Sequence, residues 1–559
     1  MSEENWEPIF DYKNVSKYVD PNRPWLKFWP EDIPKSIKFE PICIHDYIRN
    51  IAKKYPNNVA IEYLAKDKKY TYREIFWYAD KIANALSESL RVKKGDSVAI
   101  MTGNVPEFVL SVFGITQCGA SVSPINPLLK APDIVHIIKE AGNINTVFVH
   151  KANYRTLKKA SREVKIENII LLQAEEGKDD AITFEEFIAD AIPKPPKVDI
   201  DPMNDIAALL FTGGTTGLPK GVMLTHSNLV ADALSTINID KPIIDETIGT
   251  GVTIQVIPIC HSFGFEMSII YMASAAMMIF PGQFDPKVIL KLIEKYKVEL
   301  VVLVPVMYQM LVNHPDFRER DLSSLIAATS GSAGLPPKVA RKWEEGTHGI
   351  KVGQGFGLTE TSPITHMQPS WLPEIRPESI GIPITDTDAI IVNPKTLEEL
   401  KIGEVGELLI KGPQVMKGYW KRPDATKEVL IKGGWLRTGD LARMDKEGYF
   451  YIEGREKDII KYKGYKVMPK EVEEKLIEHP AILEVGVVGV PDPNIGETIK
   501  AFVVLRADFK EKITEREILD WSKQHLAGYK YPRQLEFVST LPRTAVGKIF
   551  RRKLREREV

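Results

Sequence analysis

Between Leu209 and His226 the chain reads LLFTGGTTGLPKGVMLTH. An apolar run, expected to be a strand, empties into Thr212, Gly213, Gly214, Thr215, Thr216 and Gly217, and Pro219, Lys220 and Gly221 follow. Glycines let backbone N–H groups converge on an anion, while threonine hydroxyls and a lysine add donors and charge, a composition suited to a polyphosphate. Lys220 stands between Pro219 and Gly221 and not in a GK[ST] triplet, so this is not a Walker-type loop. An ordinary glycine-rich hairpin is the plainer alternative.

Three further segments carry chemistry. In QGFGLTETS, Gln354–Ser362, Gly355 and Gly357 flank Phe356, whose ring could face a purine. Thr359 and Glu360 then offer hard oxygen donors suited to phosphate and Mg²⁺. Asp440 follows Thr438 and Gly439 and could chelate a ribose diol, although a lone Asp at such a place is more often a turn or cap residue. Near the C-terminus, LPRTAVGKIFRRKLRE holds Lys548 after a glycine, which on its own reads as part of a solvated basic tail.

The elements that must position these residues alternate. Ile44–Lys54 and Tyr72–Leu90 carry apolar residues at helical spacing, whereas Ser97–Met101, Thr146–His150 and Asn168–Leu172 are short apolar runs expected as buried strands. Alternation of this kind predicts βαβ units and a covered, largely parallel sheet. KPPKVDIDP, Lys194–Pro202, reads as an extended connector. Strands are expected again at Ile206–Phe211, Thr253–Ile257, Glu299–Val304 and Leu325–Thr329. Past Glu360, short β-rich pieces such as Ala389–Val392 and Gly406–Lys411 suggest a barrel or meander. The last hundred residues read as a small α/β unit, with strands Glu484–Val490 and Ala501–Leu505 and helices near Pro469–Glu478 and Glu515–His525.

At 559 residues the chain is too long for one ordinary core. Lys plus Arg total 74 against 75 for Asp plus Glu, which argues against a broad nucleic-acid-binding surface. The longest apolar stretch, Met267–Phe280, is interrupted by Ser268, Tyr271 and Ser274 and falls short of the roughly 20 residues that cross a bilayer, so no integral membrane segment is expected. Three widely spaced cysteines, Cys43, Cys118 and Cys260, offer no disulfide framework and fit a cytoplasmic location.

Together the four segments, in this order, resemble the AMP-forming acyl-CoA synthetases of the adenylate-forming superfamily, which also holds luciferases and peptide-synthetase adenylation domains. PICHSFG (Pro258–Gly264), SGSAGLP (Ser330–Pro336), GEVGELLIKGPQVMKGYW (Gly403–Trp420) and GVPDPNIGE (Gly489–Glu497) agree, so the resemblance covers nearly the whole chain. RPWLKFWPEDIPKSIKF, Arg23–Phe39, is similar to the fatty-acyl branch. The resemblance implies an α/β fold: a large N-terminal domain of two parallel α/β subdomains plus a β-barrel-like subdomain, and a small mobile α+β C-terminal domain. The boundaries it implies are 1–454 for the ATP- and acyl-binding domain, 455–458 for a hinge with Lys457 as pivot, and 459–559 for the mobile domain.

It further implies two half-reactions: a carboxylate attacks the α-phosphate of Mg·ATP, giving acyl-adenylate and pyrophosphate, and the thiol of coenzyme A then displaces AMP. The implied ATP site comprises Thr212, Gly213, Gly214, Thr215, Thr216, Gly217 and Lys220, the backbone of Ser332, Ala333 and Gly334, and Gly355, Phe356 and Gly357. Thr359 would contact phosphate, Glu360 would hold Mg²⁺, and Asp440 with Arg455 nearby would bind ribose. Lys548 would bridge the acyl oxygen and the α-phosphate, and His261 would position the carboxylate or gate its pocket, a core histidine being the alternative. Lys461 and Gly464 lie on the segment implied for thioester formation with coenzyme A.

The expected partners are a small carboxylic acid, ATP and coenzyme A, with no nucleic acid and with homo-oligomer formation left open. A medium- or long-chain fatty acid is the first expectation, followed by short, hydroxylated and aryl acids. An amino-acid adenylation module fits less well, because that class places an Asp where Cys260 stands and a neutral thiol supplies no counter-charge to an ammonium.

Overall fold

The computed structural model describes residues 19–178, 180–212, 219–492, 495–543 and 549–557. It divides into two compact units. The first takes the described residues up to Thr212, together with Pro219–Ala389 and Ile410–Leu436. The second takes Ile390–Leu409 and the described residues from Arg437 on.

Among the described residues, the first unit holds two large, mostly parallel sheets. One runs in the order Val352–Gln354, Ala327–Ser330, Leu300–Leu303, Val252–Ile254, Met277–Phe280, Val59–Tyr63 and Lys68–Thr71, with only the last pair antiparallel. The other is centred on Ser97–Met101, flanked by Ser121–Ile125 and Ile144–His150 in parallel register, with Ala99 opposite both Ser123 and Val147. Its far side ends in the antiparallel pair Ile206–Phe211 and Gly221–Thr225, joined by the short strand Gly418–Tyr419. The alternation in the sequence therefore reports its architecture correctly.

The helices form where caps and patterning coincide. Thr71 and Glu74 close a capping box ahead of Tyr72–Glu88, with Thr71 N donating to Glu74 Oε2 at 2.7 Å. Thr225 and Asn228 do the same ahead of His226–Ile239. Helices Pro106–Gln117 and Ser262–Ala273 are apolar nearly all round, because each is covered on every side. The apolar stretch Met267–Phe280 is split between the second of these helices and strand Met277–Phe280, and no helix among the described residues is long and apolar enough to cross a membrane. Lys194–Pro202 is free of regular structure, as expected.

In the second unit, hairpin strands Ile482–Asp492 and Gly496–Leu505 carry a sheet completed by Ile460–Tyr462, Tyr465–Val467 and Gln534–Phe537. Helices Pro469–Leu476 and Glu515–His525 bury Val472, Leu476 and Ile518 against Val487, Ile499 and Val503. The boundary between the units falls inside strands Asp388–Val392, Gly406–Lys411 and Trp435–Met444.

Candidate active site

The glycine-threonine loop joins two antiparallel strands, and at its base Thr212 N donates to Lys220 O at 3.0 Å. It is thus the connection of a hairpin and not the strand-to-helix turn of a Walker loop, so no helix N-terminus follows it directly. Gly213, Gly214, Thr215, Thr216 and Gly217 lie outside the described residues, as does Lys548. The Lys220 ammonium sits 4.8 Å from the centroid of the Tyr419 ring. Tyr419 reaches this place because Gly418–Tyr419 pairs with Met223 and Val222, just beyond the loop. Its hydroxyl donates to Glu360 Oε1 at 2.8 Å. Glu360 also accepts at its backbone carbonyl from Met416 N at 2.9 Å. Sequence reasoning named Lys220 and Glu360 but gave Tyr419 no role. The available signal was its place in the MKGYW segment.

Thr359 and Glu360 lie on a short 3₁₀ turn, Thr359–Thr361. Thr359 Oγ1 is 3.2 Å from Ser262 Oγ, next to His261. His261 is the N-cap of helix Ser262–Ala273, and its Nδ1 accepts from Phe263 N at 3.4 Å. Its ring is half-buried, which places it at a helix start bordering the Thr359 turn and not in the middle of the core.

Phe356 and Gly357 form a two-residue strand against Ile364–Met367. A Cβ on Gly357 would stand 1.8 Å from Pro363 O, a collision of backbone with backbone, so only glycine fits. At Gly355 the nearest atom to such a Cβ is 3.4 Å away, and that glycine is not sterically required. Gly355 N donates to Ser330 O at 2.8 Å and Leu335 N to the Gln354 side chain at 2.8 Å, tying the Gln354–Gly357 segment to SGSAGLP. Ser332 has φ +74° and lies with exposed Ala333 and Gly334 beyond the carboxyl end of the parallel strand Ala327–Ser330. That is where open α/β sheets bind ligands, and a left-handed serine is strain of the kind kept at such sites. Gly331 packs on the Phe263 ring, where a Cβ would come within 2.7 Å. The described parts of the Gly-Thr loop, PICHSFG, SGSAGLP, QGFGLTE and MKGYW thus lean on one another through direct contacts within the first unit.

Behind this group lie two buried acids. Asp232, on His226–Ile239, and Glu266, on Ser262–Ala273, are fully buried, and their helices pack together. Asp232 Oδ2 accepts from Ile364 N at 3.4 Å, while Asp232 Oδ1 and both Glu266 oxygens have no partner among the described residues. Burial raises both carboxyls well above their ordinary range, and Asp232 pushes Glu266 further. Burial likewise holds His366, beside Phe356, neutral, its ring lowered to about 3. These groups were missed by sequence reasoning, since nothing in their local pattern marks them as polar core.

In the second unit Asp440 occupies a strand and not the turn or cap expected of a lone Asp. It lies opposite Arg455, which donates to it through Nε at 2.9 Å and Nη2 at 3.4 Å. Lys457 is exposed on the 3₁₀ turn Glu456–Asp458, beside buried Asp458, which accepts from Arg555 at 2.8 Å. Lys461 is exposed, with its backbone N–H donating to Glu497. Lys463 and Gly464, with φ +48° and +84°, form the two-residue turn between Tyr462 and Tyr465. Positive φ at both positions is the tight hairpin geometry that favours glycine.

The model of the AMP-binding enzyme family matches residues 48–420, and that of the AMP-binding enzyme C-terminal domain matches residues 471–548. The chain is 37% identical to a long-chain-fatty-acid–CoA ligase of Bacillus subtilis, over 96% of this chain and 98% of the relative. It is 33% identical to a probable 4-coumarate–CoA ligase of Dictyostelium discoideum, over 88% of this chain and 90% of the relative. Among solved structures it resembles ATP-bound MatB from Rhodopseudomonas palustris at 29% identity and a TM-score of 0.83, over 92% of this chain and 99% of that one. It also resembles an anthranilate CoA ligase in complex with anthranoyl-AMP, at 28% identity and a TM-score of 0.79, over 94% and 98% of the two chains.

Proposed function

The chain belongs to the AMP-binding enzyme family, as an AMP-forming acyl-CoA ligase, and from that premise we propose that its acid is a medium- or long-chain fatty acid. The observation that carries the substrate is the likeness to a long-chain-fatty-acid–CoA ligase along almost the full length of both chains. Cys260 supports the exclusion of amino acids: burial pushes its thiol up to about 12, so it offers no charge to an ammonium.

A carboxylate is a poor nucleophile toward an anionic phosphate, so the site has to supply positive charge and fixed geometry. Lys220 and the Thr212–Gly221 loop hold the β- and γ-phosphates, and Phe356 lies against the adenine beside Ser332–Gly334. Thr359 and Glu360 present hydroxyl and carboxylate oxygens, a donor set that fits Mg²⁺ and includes no soft ligand. Such an ion would supply neutralising charge to the phosphates. Tyr419 orients the Glu360 carboxylate, His261 positions the acid, and Asp440 with Arg455 binds the ribose. Lys548 neutralises the transferring centre in the first half-reaction, and the Lys461–Gly464 turn serves the second, in which coenzyme A thiol attacks the acyl carbonyl and AMP departs.

The test is a pyrophosphate-release screen over straight-chain acids from acetate to stearate, with hydroxy acids, 4-coumarate and anthranilate included, and chromatography of the nucleotides. AMP is expected as product, with the highest kcat/KM on medium or long chains. A maximum on an aryl acid would overturn the substrate, and ADP with orthophosphate would overturn the reaction.

A further inference from the structure

Cys43, His45 and Asp46 cluster at the start of helix Ile44–Lys54, away from every motif used above. Cys43 Sγ, a ring nitrogen of His45 and a carboxylate oxygen of Asp46 all lie within 4.8 Å of one another. Cys43 and His45 are buried and Asp46 is exposed. Although Cys43 is the N-cap residue, its side chain makes no capping hydrogen bond.

The His45 ring is held on one nitrogen and turned toward Asp46 with the other. Thr116 Oγ1, 3.2 Å from Phe113 O, also lies 3.2 Å from His45 Nδ1 and holds that ring nitrogen in place. Nε2 faces Asp46 Oδ2 at 3.7 Å. A hydroxyl fixing one ring nitrogen while the other faces an anion is the outer-shell arrangement found around metal-bound histidines. An open cavity of about 630 Å³, lined by His45, Asp46, Arg49, Gln117 and the 195–200 connector, borders the cluster and gives access to it.

We propose that Cys43, His45 and Asp46 form a binding site for a late divalent transition metal, zinc above all, with its remaining coordination position open to this cavity. Thiolate, imidazole and carboxylate together suit zinc and not magnesium, which prefers oxygen alone. Tetrahedral zinc places its ligand atoms about 3–4 Å apart, so the cluster needs only side-chain rotation to close. Binding exchanges the Cys43 S–H bond for a sulfur–metal bond and releases the proton to water, with no change of oxidation state. The Arg49 charge is engaged by Asp80 and Gln117.

The test titrates the chelator-treated full chain with Co²⁺ as a spectroscopic stand-in for zinc. One equivalent is expected to bind, with a thiolate-to-cobalt charge-transfer band that Zn²⁺ abolishes and millimolar Mg²⁺ does not. Cys43→Ser is expected to lose the band and weaken cobalt binding about 100-fold, and Asp46→Asn about 10-fold. Adenylation with Mg·ATP should stay within a few-fold of the parent in both variants, which separates this site from the active site. Because Asp46 is exposed, Asp46→Asn keeps the test informative if Cys43→Ser does not fold. A chain that binds no cobalt, as expected if a water bridges Nε2 and Asp46, would overturn the proposal. So would a charge-transfer band surviving in Cys43→Ser, which would then arise at Cys118 or Cys260.

Discussion

Glu360 shows how little of a site residue's role resides in its own side chain. Its carboxylate is held by a phenol 59 residues further along the chain, and the same ring lies beneath Lys220. The ring therefore sets both the proposed cation ligand and the proposed phosphate lysine. A hydrogen bond to a charged group contributes about 1.5–3 kcal/mol, so Tyr419→Phe is expected to raise the KM for Mg·ATP about 10-fold or more. The melting temperature should change little, because the ring and its packing remain. Steady-state kinetics at varied Mg·ATP checks this, and an unchanged KM would mean that Glu360 needs no such support.

Helices His226–Ile239 and Ser262–Ala273 carry a different kind of constraint. The second of them starts at His261 and touches Thr359, while the first holds Ile364 through Asp232. Between them lie two carboxyls that burial keeps protonated beyond their usual range. The sign follows from linkage: a carboxyl raised in the fold contributes stability that is complete below its unfolded value, near pH 4, and is lost as pH rises through the folded value. Glu266→Gln removes one ionisation from the pair and keeps the side chain's shape. Its stability relative to the parent is expected to rise from pH 5 toward pH 9, by about 1.4 kcal/mol per pH unit until the folded value is passed, and its melting temperature with it. Parallel melting curves at all pH values would show that the pair does not ionise within the folded chain.

The two half-reactions set the requirement on the whole molecule. Lys548 is proposed for adenylation and the Lys461–Gly464 turn for thioester formation, and both have to act on one acyl carbonyl. The pivot proposed for the exchange is Lys457, exposed on a short 3₁₀ turn whose next residue, Asp458, is buried and clamped by Arg555. Proline locks φ near −65° and removes a donor, so Lys457→Pro is expected to leave pyrophosphate release within a few-fold and to reduce acyl-CoA formation by orders of magnitude. Lys457→Ala, which keeps backbone freedom, should be much milder. Single-turnover kinetics of each half-reaction on both variants decides the matter: equal losses in the two steps, or none, would move the pivot elsewhere.

Much of this was legible in the one-dimensional chain because the relevant physics is local. The strand Ile206–Phe211 before the glycine-threonine loop, the helix Glu515–His525 and the capping box at Thr71 follow from apolar period and from side chains that satisfy their own backbone. The family too is carried by short motifs, since a phosphate-binding or turn segment needs particular residues at fixed neighbouring positions. What the sequence did not disclose depends on contacts between distant segments. Tyr419 and Glu360, Asp232 and Glu266, and the His45 ring set between Thr116 and Asp46 each acquire meaning from a partner or from burial that no local pattern encodes. Asp440 is the plainest case: a turn-like aspartate in TGD becomes a strand residue because an antiparallel neighbour brings Arg455 opposite it. Propensity acts within a few residues, whereas strand pairing and desolvation are set by the packed whole.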